Sequence, residues 1–327
     1  MLQMLEMISD IAPSGREERL ISKIADFARD YSDHIETDAM GNLIVKMGKG
    51  GKKIMLSAHV DHVGIAALSA DKEGFVRFGA VGGLAPCDLA GARVKFQNGV
   101  LGVIRYEEKS DKAKRKTEDF FIDIGAADKE AAAELIDIPS YAGFDYPAYV
   151  QGDHIISPYL DNKLGVLALL TTMKNLTDLE NQVYFAFTVQ EELGCRGAKT
   201  AAFGIEPDYA IVVDVTDSGD TPGFDGYMDV KLGAGPAIKV MDRSAIISAK
   251  AIGFLKETAN RHDIPYQLEV LNAGGTESGV IQTSRGGCLV SAVSIPTRYI
   301  HTPSEMCHIN DVKGAIELVG HAVREWK

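Results

Sequence analysis

The fold is constrained most strongly by short apolar segments that alternate with segments of helical spacing. The apolar segments have the length of buried strands, and the sequence predicts such strands within 52–62, 183–190, 208–215 and 288–295. The helical patterns lie at about 162–176, 244–262 and 312–325. Strands that alternate with helices predict an α/β fold, a three-layer sandwich with a mostly parallel central sheet.

Residues 64–150 have a different pattern, in which short apolar segments are interrupted by glycines and turn residues. The pattern predicts a small, mainly β domain inserted into the α/β domain, which then comprises residues 1–63 and 151–327. Near the N-terminus, Ser14 and Glu17 have the spacing of a capping box. A helix is therefore predicted to begin there and to continue to about Tyr31.

Composition excludes several classes of partner. A formal net charge of −12 argues against nucleic acid and anionic membranes, because both require a basic face. Uninterrupted apolar segments stay well short of the ~18 residues that cross a membrane, and the acidic N-terminal segment is not typical of a signal peptide. The four cysteines are far apart, which is typical of reduced thiols and predicts a cytoplasmic protein.

Two adjacent glutamates, Glu191 and Glu192, end the apolar segment that begins at Val183. Like charges at the end of a buried strand repel each other and resist ionisation unless something compensates them. In a continuous strand the two side chains would point to opposite faces, so both can reach one site only if the strand ends or twists. Gly194 permits such a change of direction.

Other acidic and histidine side chains occur at the ends or exits of predicted elements. His59 and Asp61 lie two residues apart on one face of a strand end, where a carboxylate can support an imidazole at a metal site or form an ordinary surface pair with it. Asp161 precedes a helix and has an N-cap as its alternative role. Asp214 ends a strand, where sites gather or turns form, and His301 follows a strand as a ligand or an ordinary loop histidine.

Taken together, these side chains supply the mixed nitrogen and oxygen ligands that Zn²⁺, Co²⁺ or Mn²⁺ bind. Cations would also compensate the paired glutamates, because one of them could serve as a ligand while the other stays free as a base.

The ordered motifs "AHVDHVG", "LDNK", "TVQEELGCRGA", "VVDVT", "LGAGPAI", "GGTESG" and "IPTRYIHTPSE" extend over essentially the whole chain. In this order they resemble the M42 family of co-catalytic metallo-aminopeptidases. That family includes glutamyl aminopeptidases and tetrahedral dodecameric enzymes, some of them labelled endoglucanases.

The resemblance implies two divalent metal ions per subunit, Zn²⁺, Co²⁺ or Mn²⁺. His59 and Asp214 would bind one ion, Glu192 and His301 the other, and Asp161 both. Two further roles are implied, with Glu191 as the general base and Asp61 as the residue that orients His59. Gly274, Gly275 and Arg298 are candidates for substrate binding.

The implied activity is removal of N-terminal residues from short peptides, with metal-activated water attacking the scissile carbonyl. Self-association from dimers to a dodecamer, through the segment 64–150, is implied as well. Three positions depart from the family pattern, namely His62, Asn162-Lys163 and Glu277. The peptide bond between Asp161 and Asn162 is often cis in such enzymes.

Three other functions were weighed against this one. A related metallo-deacylase or dipeptidase would act on N-acylated or dipeptide substrates, and a non-catalytic member would retain only the fold. A glycosidase is disfavoured, because its two carboxyl groups must be ~5 Å or more apart across a sugar bond. The aromatic content of 7%, with one tryptophan at position 326, also argues against a platform for sugars.

Overall fold

A computed structural model describes residues 1–111, 114–226 and 228–327 of the chain. The described residues form a large mixed sheet between layers of helices and a separate closed β-barrel. The strands of the large sheet are β1 (His34–Thr37), β2 (Leu43–Met47), β3 (Lys53–His59), β10 (Tyr149–Gln151), β11 (His154–Ser157), β12 (Gln182–Thr188), β13 (Tyr209–Asp217), β14 (Ala237–Met241), β15 (Gln267–Val270), β16 (Leu289–Arg298) and β17 (Glu305–His308).

The barrel strands are β4 (Gly64–Ala70), β5 (Val76–Val81), β6 (Arg93–Phe96), β7 (Leu101–Tyr106), β8 (Phe120–Asp123) and β9 (Ser140–Phe144). The helices are α1 (Leu2–Met7), α2 (Glu18–Ala28), α3 (Lys129–Leu135), α4 (Leu160–Asn175), α5 (Arg196–Ile205), α6 (Ala249–Arg261), α7 (Ser278–Gln282) and α8 (Ile309–Glu325).

The centre of the large sheet is parallel, as predicted. Strands β12, β3, β13 and β16 lie side by side in that order and run in the same direction. Antiparallel strands flank them, with β1 and β2 beyond β12 and with β17, β11 and β10 beyond β16. The central strands are buried on both faces, which explains why they are apolar without alternation.

Helices cover both faces of this sheet. One core lies against α1, α2, α4 and α8, and a second core lies against α5 and α7 on the other side. The three-layer α/β prediction is therefore confirmed. Part of one predicted helix is not helical: the segment 244–262 forms a helix only from Ala249. The reason is a turn around Asp242 at its start, where Oδ1 accepts the backbone N–H groups of Ser244 and Ala245.

The barrel begins at Gly64, five residues after β3 ends, and its last strand ends at Phe144. Its strands are ordered β4-β5-β8-β7-β6-β9 and close on themselves, around an apolar core of their own. After β9 the chain returns to the edge of the large sheet as β10 and β11. No helix in the described part of the chain is long and apolar enough to cross a membrane.

Candidate metal centre and active site

The site lies at the carboxyl ends of the central parallel strands. His59 is the last residue of β3, Asp214 lies near the end of β13, and the paired glutamates follow β12. His59 is in register with Thr188, the last residue of β12. Parallel strands bring their carboxyl ends to one edge of the sheet, which is where α/β proteins place their sites.

Three side chains form the first cluster. His59 Nε2 lies 3.2 Å from Asp161 Oδ1 and 3.5 Å from Asp214 Oδ1. The other ring nitrogen of His59, Nδ1, lies 3.0 Å from the backbone oxygen of Asp61. A proton on Nδ1 leaves Nε2 free to donate its lone pair to a cation, which is the usual arrangement at histidine ligands.

The second cluster shares Asp161 with the first. His301 Nε2 lies 3.4 Å from Asp161 Oδ2 and 3.1 Å from Glu192 Oε1. Asp161 therefore presents one carboxylate oxygen to each cluster. Every candidate ligand named from the sequence belongs to one of the two groups.

The backbone of Asp161 is held by a hydrogen bond to the side chain of Glu305. Its N–H donates to Glu305 Oε2 at 2.9 Å, and the peptide bond to Asn162 is cis, as the resemblance implies. The N-cap role considered for Asp161 falls instead to Asn162, whose Oδ1 accepts the N–H of Gly165 at 2.9 Å. Asn162 Nδ2 also donates to the carbonyl of Val213, which ties the start of α4 to β13.

The donor set fits divalent cations. Asp161 Oδ1 and Glu192 Oε1 are buried and accept no hydrogen bond of good geometry from the described residues. Burial disfavours a charge on His301, but Asp161 and Glu192 outweigh burial and raise the pKa of His301 to about 11. Burial also raises the pKa of Asp214 above its ordinary value. Carboxylates packed this closely in a dry site need positive charge, which bound cations provide.

Glu191 lies beside these clusters without belonging to either. Burial raises the pKa of its carboxyl group well above the ordinary value, and the negative charges of Asp214 and Glu192 raise it further. Its Oε1 accepts a hydrogen bond from the thiol of Cys195 at 3.0 Å. A carboxylate that holds a proton more tightly than usual is suited to general-base catalysis near neutral pH.

The two glutamates reach the same site because β12 ends before them. The strand stops at Thr188, and Gln190 adopts a left-handed backbone conformation with φ of 54°. Gly194, which the sequence indicated as the point of turning, also has a positive φ of 106°. The change of direction thus begins earlier than predicted, at a residue that is not glycine.

Side chains from elsewhere hold this segment, which we call the catalytic loop (residues 189–192). Its four successive N–H groups donate to Asn42 Oδ1 at 3.0 Å, to Glu17 Oε1 at 3.1 Å, and to Asp61 Oδ1 and Oδ2 at 2.9 and 3.1 Å. These acceptors take the place of the strand partners that the loop lacks. The role of Asp61 thus extends beyond His59, from whose Nδ1 its carboxylate is 3.7 Å away.

The predicted capping box at Ser14 and Glu17 is wrong. Ser14 Oγ donates to Asp61 Oδ2 at 2.6 Å, and Glu17 Oε1 accepts the N–H of Gly15 at 2.7 Å. Helix α2 begins only at Glu18, without a side-chain cap. Sequence analysis missed Ser14, Glu17 and Asn42 as parts of the site, because their partners are distant in the chain.

Two of the positions that depart from the family pattern, His62 and Glu277, contact other groups of the protein. His62 stacks on Tyr159 with ring centroids 3.5 Å apart, and its Nε2 accepts the N–H of Ala12 at 2.7 Å. Glu277 is fully buried; its carboxylate accepts hydrogen bonds from Ser57 Oγ at 2.6 Å and from Thr188 Oγ1. Burial raises the pKa of Glu277 to about 7.

The substrate-binding candidates lie in two different places. Arg298 is occupied by Asp220, to which Nε and Nη2 donate at 2.8 and 2.7 Å. Gly274 has a φ of 77° and its carbonyl accepts the N–H of Arg243. A side chain at Gly275 would meet Ser244, since a Cβ there would lie 3.0 Å from the Ser244 Cβ.

Known proteins resemble the chain over nearly its full length. A provisionally named aminopeptidase of Acetivibrio thermocellus is 47% identical over 315 residues, which cover 96% of this chain and 95% of the relative. The lysyl aminopeptidase of Pyrococcus furiosus is 31% identical over 338 residues, covering 99% and 96%. A solved structure of the TET1 peptidase of Pyrococcus horikoshii, which assembles into a tetrahedron or a large octahedral shell, has a TM-score of 0.88 at 35% identity and covers 99% of this chain and 100% of that one.

The model of the M42 glutamyl aminopeptidase family matches residues 41–318, a range that includes every candidate ligand and both paired glutamates. Since this family uses divalent metal ions, the match agrees with the donor set of the two clusters. The chain belongs to the M42 aminopeptidase family and is a hydrolase.

Proposed function

We propose that the chain removes the N-terminal residue from short peptides with the help of two divalent cations and Glu191. The observation that supports this most is the position of Asp161, whose two carboxylate oxygens face two different histidines. Adjacent cation sites that share one carboxylate are typical of enzymes that hydrolyse with two metals.

In this proposal, His59 and Asp214 hold one cation, Glu192 and His301 hold the other, and Asp161 holds both. The ligands are nitrogen and oxygen atoms without thiolate, a set that suits Zn²⁺, Co²⁺ or Mn²⁺. When bound, such cations polarise a carbonyl oxygen and lower the pKa of water toward neutrality.

Glu191 moves the proton in this proposal. One of its oxygens, Oε1, is occupied by the thiol of Cys195, so Oε2 is free to accept the proton of the attacking water. The same oxygen then gives the proton to the departing amine. Asp61 and Glu17 keep the carboxylate in place through the backbone of the catalytic loop.

We further propose that the chain self-associates, from dimers to a dodecamer, through residues 64–150. The barrel segment carries large apolar side chains that are more than a third exposed, as expected of an interface; they are Leu68, Leu101, Val103, Leu135 and Ile138. The enclosed sites of such an assembly would admit only short or unfolded peptides. A cytoplasmic location is supported by the four free cysteines.

Hydrolysis of amino-acid p-nitroanilides tests the proposed activity. The protein is stripped of metal, reloaded with Zn²⁺, Co²⁺ or Mn²⁺, and offered each substrate with a free or an acetylated α-amine. We expect cleavage only after reloading and only of substrates with a free amine. Cleavage of the acetylated substrates would instead support a deacylase, and no cleavage under any metal would support a non-catalytic protein.

Glu191→Gln tests the proposed base separately. The amide retains the shape of the side chain but cannot accept the proton, so we expect turnover to fall by about a hundredfold or more while metal content is unchanged. Glu18→Gln, an exposed change on α2, is the matched control. Full turnover by Glu191→Gln with both metals bound would rule out this assignment.

A further inference from the structure

A cavity of about 640 Å³ lies apart from the two clusters. It is formed where the N-terminal segment, the barrel and the start of α4 meet, and none of the seven predicted catalytic and metal-ligating residues lines it. It approaches the site through Tyr159 and Lys163, which line the cavity and lie two residues before and after Asp161.

Lys163 is a buried cation in this cavity. The residue is only 7% exposed, and its Nζ atom is 4.9 Å from the centroid of the Tyr159 ring. Among the described residues, Glu305 and Asp10 attract its charge from beyond ion-pair distance, and burial still lowers the pKa of Lys163 to about 8. Lys95, on the barrel side of the cavity, likewise has no ion pair among the described residues. A buried ammonium group without an anion is costly, so a bound anion would stabilise it.

The cavity also contains carboxylates without a partner. Asp145 and Glu6 line it, and neither forms an ion pair with the part of the chain that the structure describes. The remaining acid, Asp10, is already paired with Lys23 at 2.9 Å and with Arg19, which also lines the cavity, at 3.4 Å. Free charges of both signs therefore face one space, which argues for a ligand that carries both signs rather than for a simple anion.

Apolar groups form about half of the wall between these charges. Phe144, Tyr146 and Tyr159 contribute aromatic rings, and Pro147 and Pro158 add apolar surface. A pocket of this kind buries an apolar side chain while a few polar groups fix its orientation. The volume is ample for one amino acid.

We propose that this cavity binds a free α-amino acid with an apolar side chain. Its carboxylate would face Lys163 and Lys95, its ammonium group Asp145 and Glu6, and its side chain the aromatic wall. The binding itself does not depend on the proposed function. If that function holds, the ligand belongs to the class of product that the enzyme releases, and Lys163 links it to the segment that carries Asp161.

Calorimetry with the metal-free protein tests the proposal, because removing the metals keeps the ligand from binding through cations at the active site. The probes are L-leucine, 4-methylpentanoate, which lacks only the ammonium group, and isoamylamine, which lacks only the carboxylate. We expect one L-leucine per chain and at least tenfold weaker binding of the other two probes. No binding of L-leucine at millimolar concentration, or equal binding of 4-methylpentanoate, would overturn the proposal.

Two variants locate the binding. Lys163→Met removes the buried charge, and Ala148→Trp fills the cavity from an exposed position without changing a charge. Each should weaken L-leucine binding at least tenfold, whereas Lys72→Met, a change to an exposed lysine of the barrel segment, should leave it unchanged. If Lys163→Met fails to fold, Ala148→Trp alone tests the location. Unchanged L-leucine binding by Ala148→Trp would show that the ligand binds outside this cavity.

Discussion

Asp161 presents Oδ1 to His59 and Oδ2 to His301, so a single carboxylate contributes to both clusters. We predict that Asp161→Ala loses both bound cations, because each site is left with two ligands and the bridge is gone. Asp214→Ala should lose mainly one cation. Elemental analysis after dialysis measures both, against about two cations per wild-type chain.

Asp217→Ala is the control for this experiment, since Asp217 ends the same strand as Asp214 but belongs to neither cluster. It should retain the wild-type metal content. An Asp161→Ala protein that keeps two cations per chain would show that the carboxylate does not bridge them.

At the scale of elements, the backbone of the catalytic loop is held by a hydrogen-bond acceptor from another part of the chain, Glu17. Glu17 is 5% exposed, and its Oε1 accepts the N–H groups of Gly15 and Gln190. We predict that Glu17→Ala lowers kcat by about 10- to 100-fold with a smaller effect on KM, because a shift of the base by ~1 Å is enough for such a loss. Steady-state kinetics at constant metal content measures the effect.

Glu17→Gln serves as the conservative comparison, because its amide oxygen can still accept both N–H groups. It should recover most of the activity that the alanine variant loses. Equal kcat values for the alanine variant and the wild type would show that Glu17 does not position the loop.

The same residue gives a prediction about pH. Burial raises the pKa of Glu17 to about 7, and the charge of Asp61 adds to this. The folded chain then holds the proton more tightly than the unfolded chain, so this group lowers the free energy of unfolding as pH rises from about 4.5 to about 7. Denaturant unfolding of metal-free protein should show a smaller decline across that range for Glu17→Gln than for the wild type. An identical decline would contradict the assigned pKa.

The sequence predicted the central elements closely, because buried parallel strands have to be apolar along their whole length. The prediction of 183–190 corresponds to Gln182–Thr188, and that of 208–215 to Tyr209–Asp217. The prediction from sequence failed for side chains whose hydrogen-bond partners are distant in the chain. Ser14 and Glu17 suit a local cap by their spacing, yet they bind Asp61 and Gln190, which lie 47 and 173 residues further along the chain.

At the scale of the whole molecule, the exposed leucines of the barrel allow the proposed self-association to be tested. Leu68 and Leu101 are 60% and 58% exposed, large values for leucine side chains. We predict that Leu68→Lys with Leu101→Lys yields a smaller species by light scattering, because two charges would have to be desolvated at the interface. Metal content and far-UV circular dichroism should be unchanged.

Ile246→Lys is the matched control, because this isoleucine is 71% exposed on the α/β part of the chain. A wild-type mass for the double variant would place the interface away from these two leucines.

The sequence indicated the mainly β character of residues 64–150, but it did not indicate which strands pair with each other. Strand β4 closes the barrel against the distant β9, through pairs such as Ile65 with Ala142.

The stacking of His62 on Tyr159 joins the segment just before β4 to the segment between β11 and α4. Tyr159 also belongs to the core of the barrel, whereas Gly82 and Gly83, which follow β5, lie against Glu192 and His301. Any side chain added at Gly82 or Gly83 would therefore meet a candidate ligand, whereas exposed barrel residues such as Leu68 and Leu101 have room to change. Sequence change in a barrel of this kind is thus constrained at the two glycines beside the ligands far more than on its exposed strands.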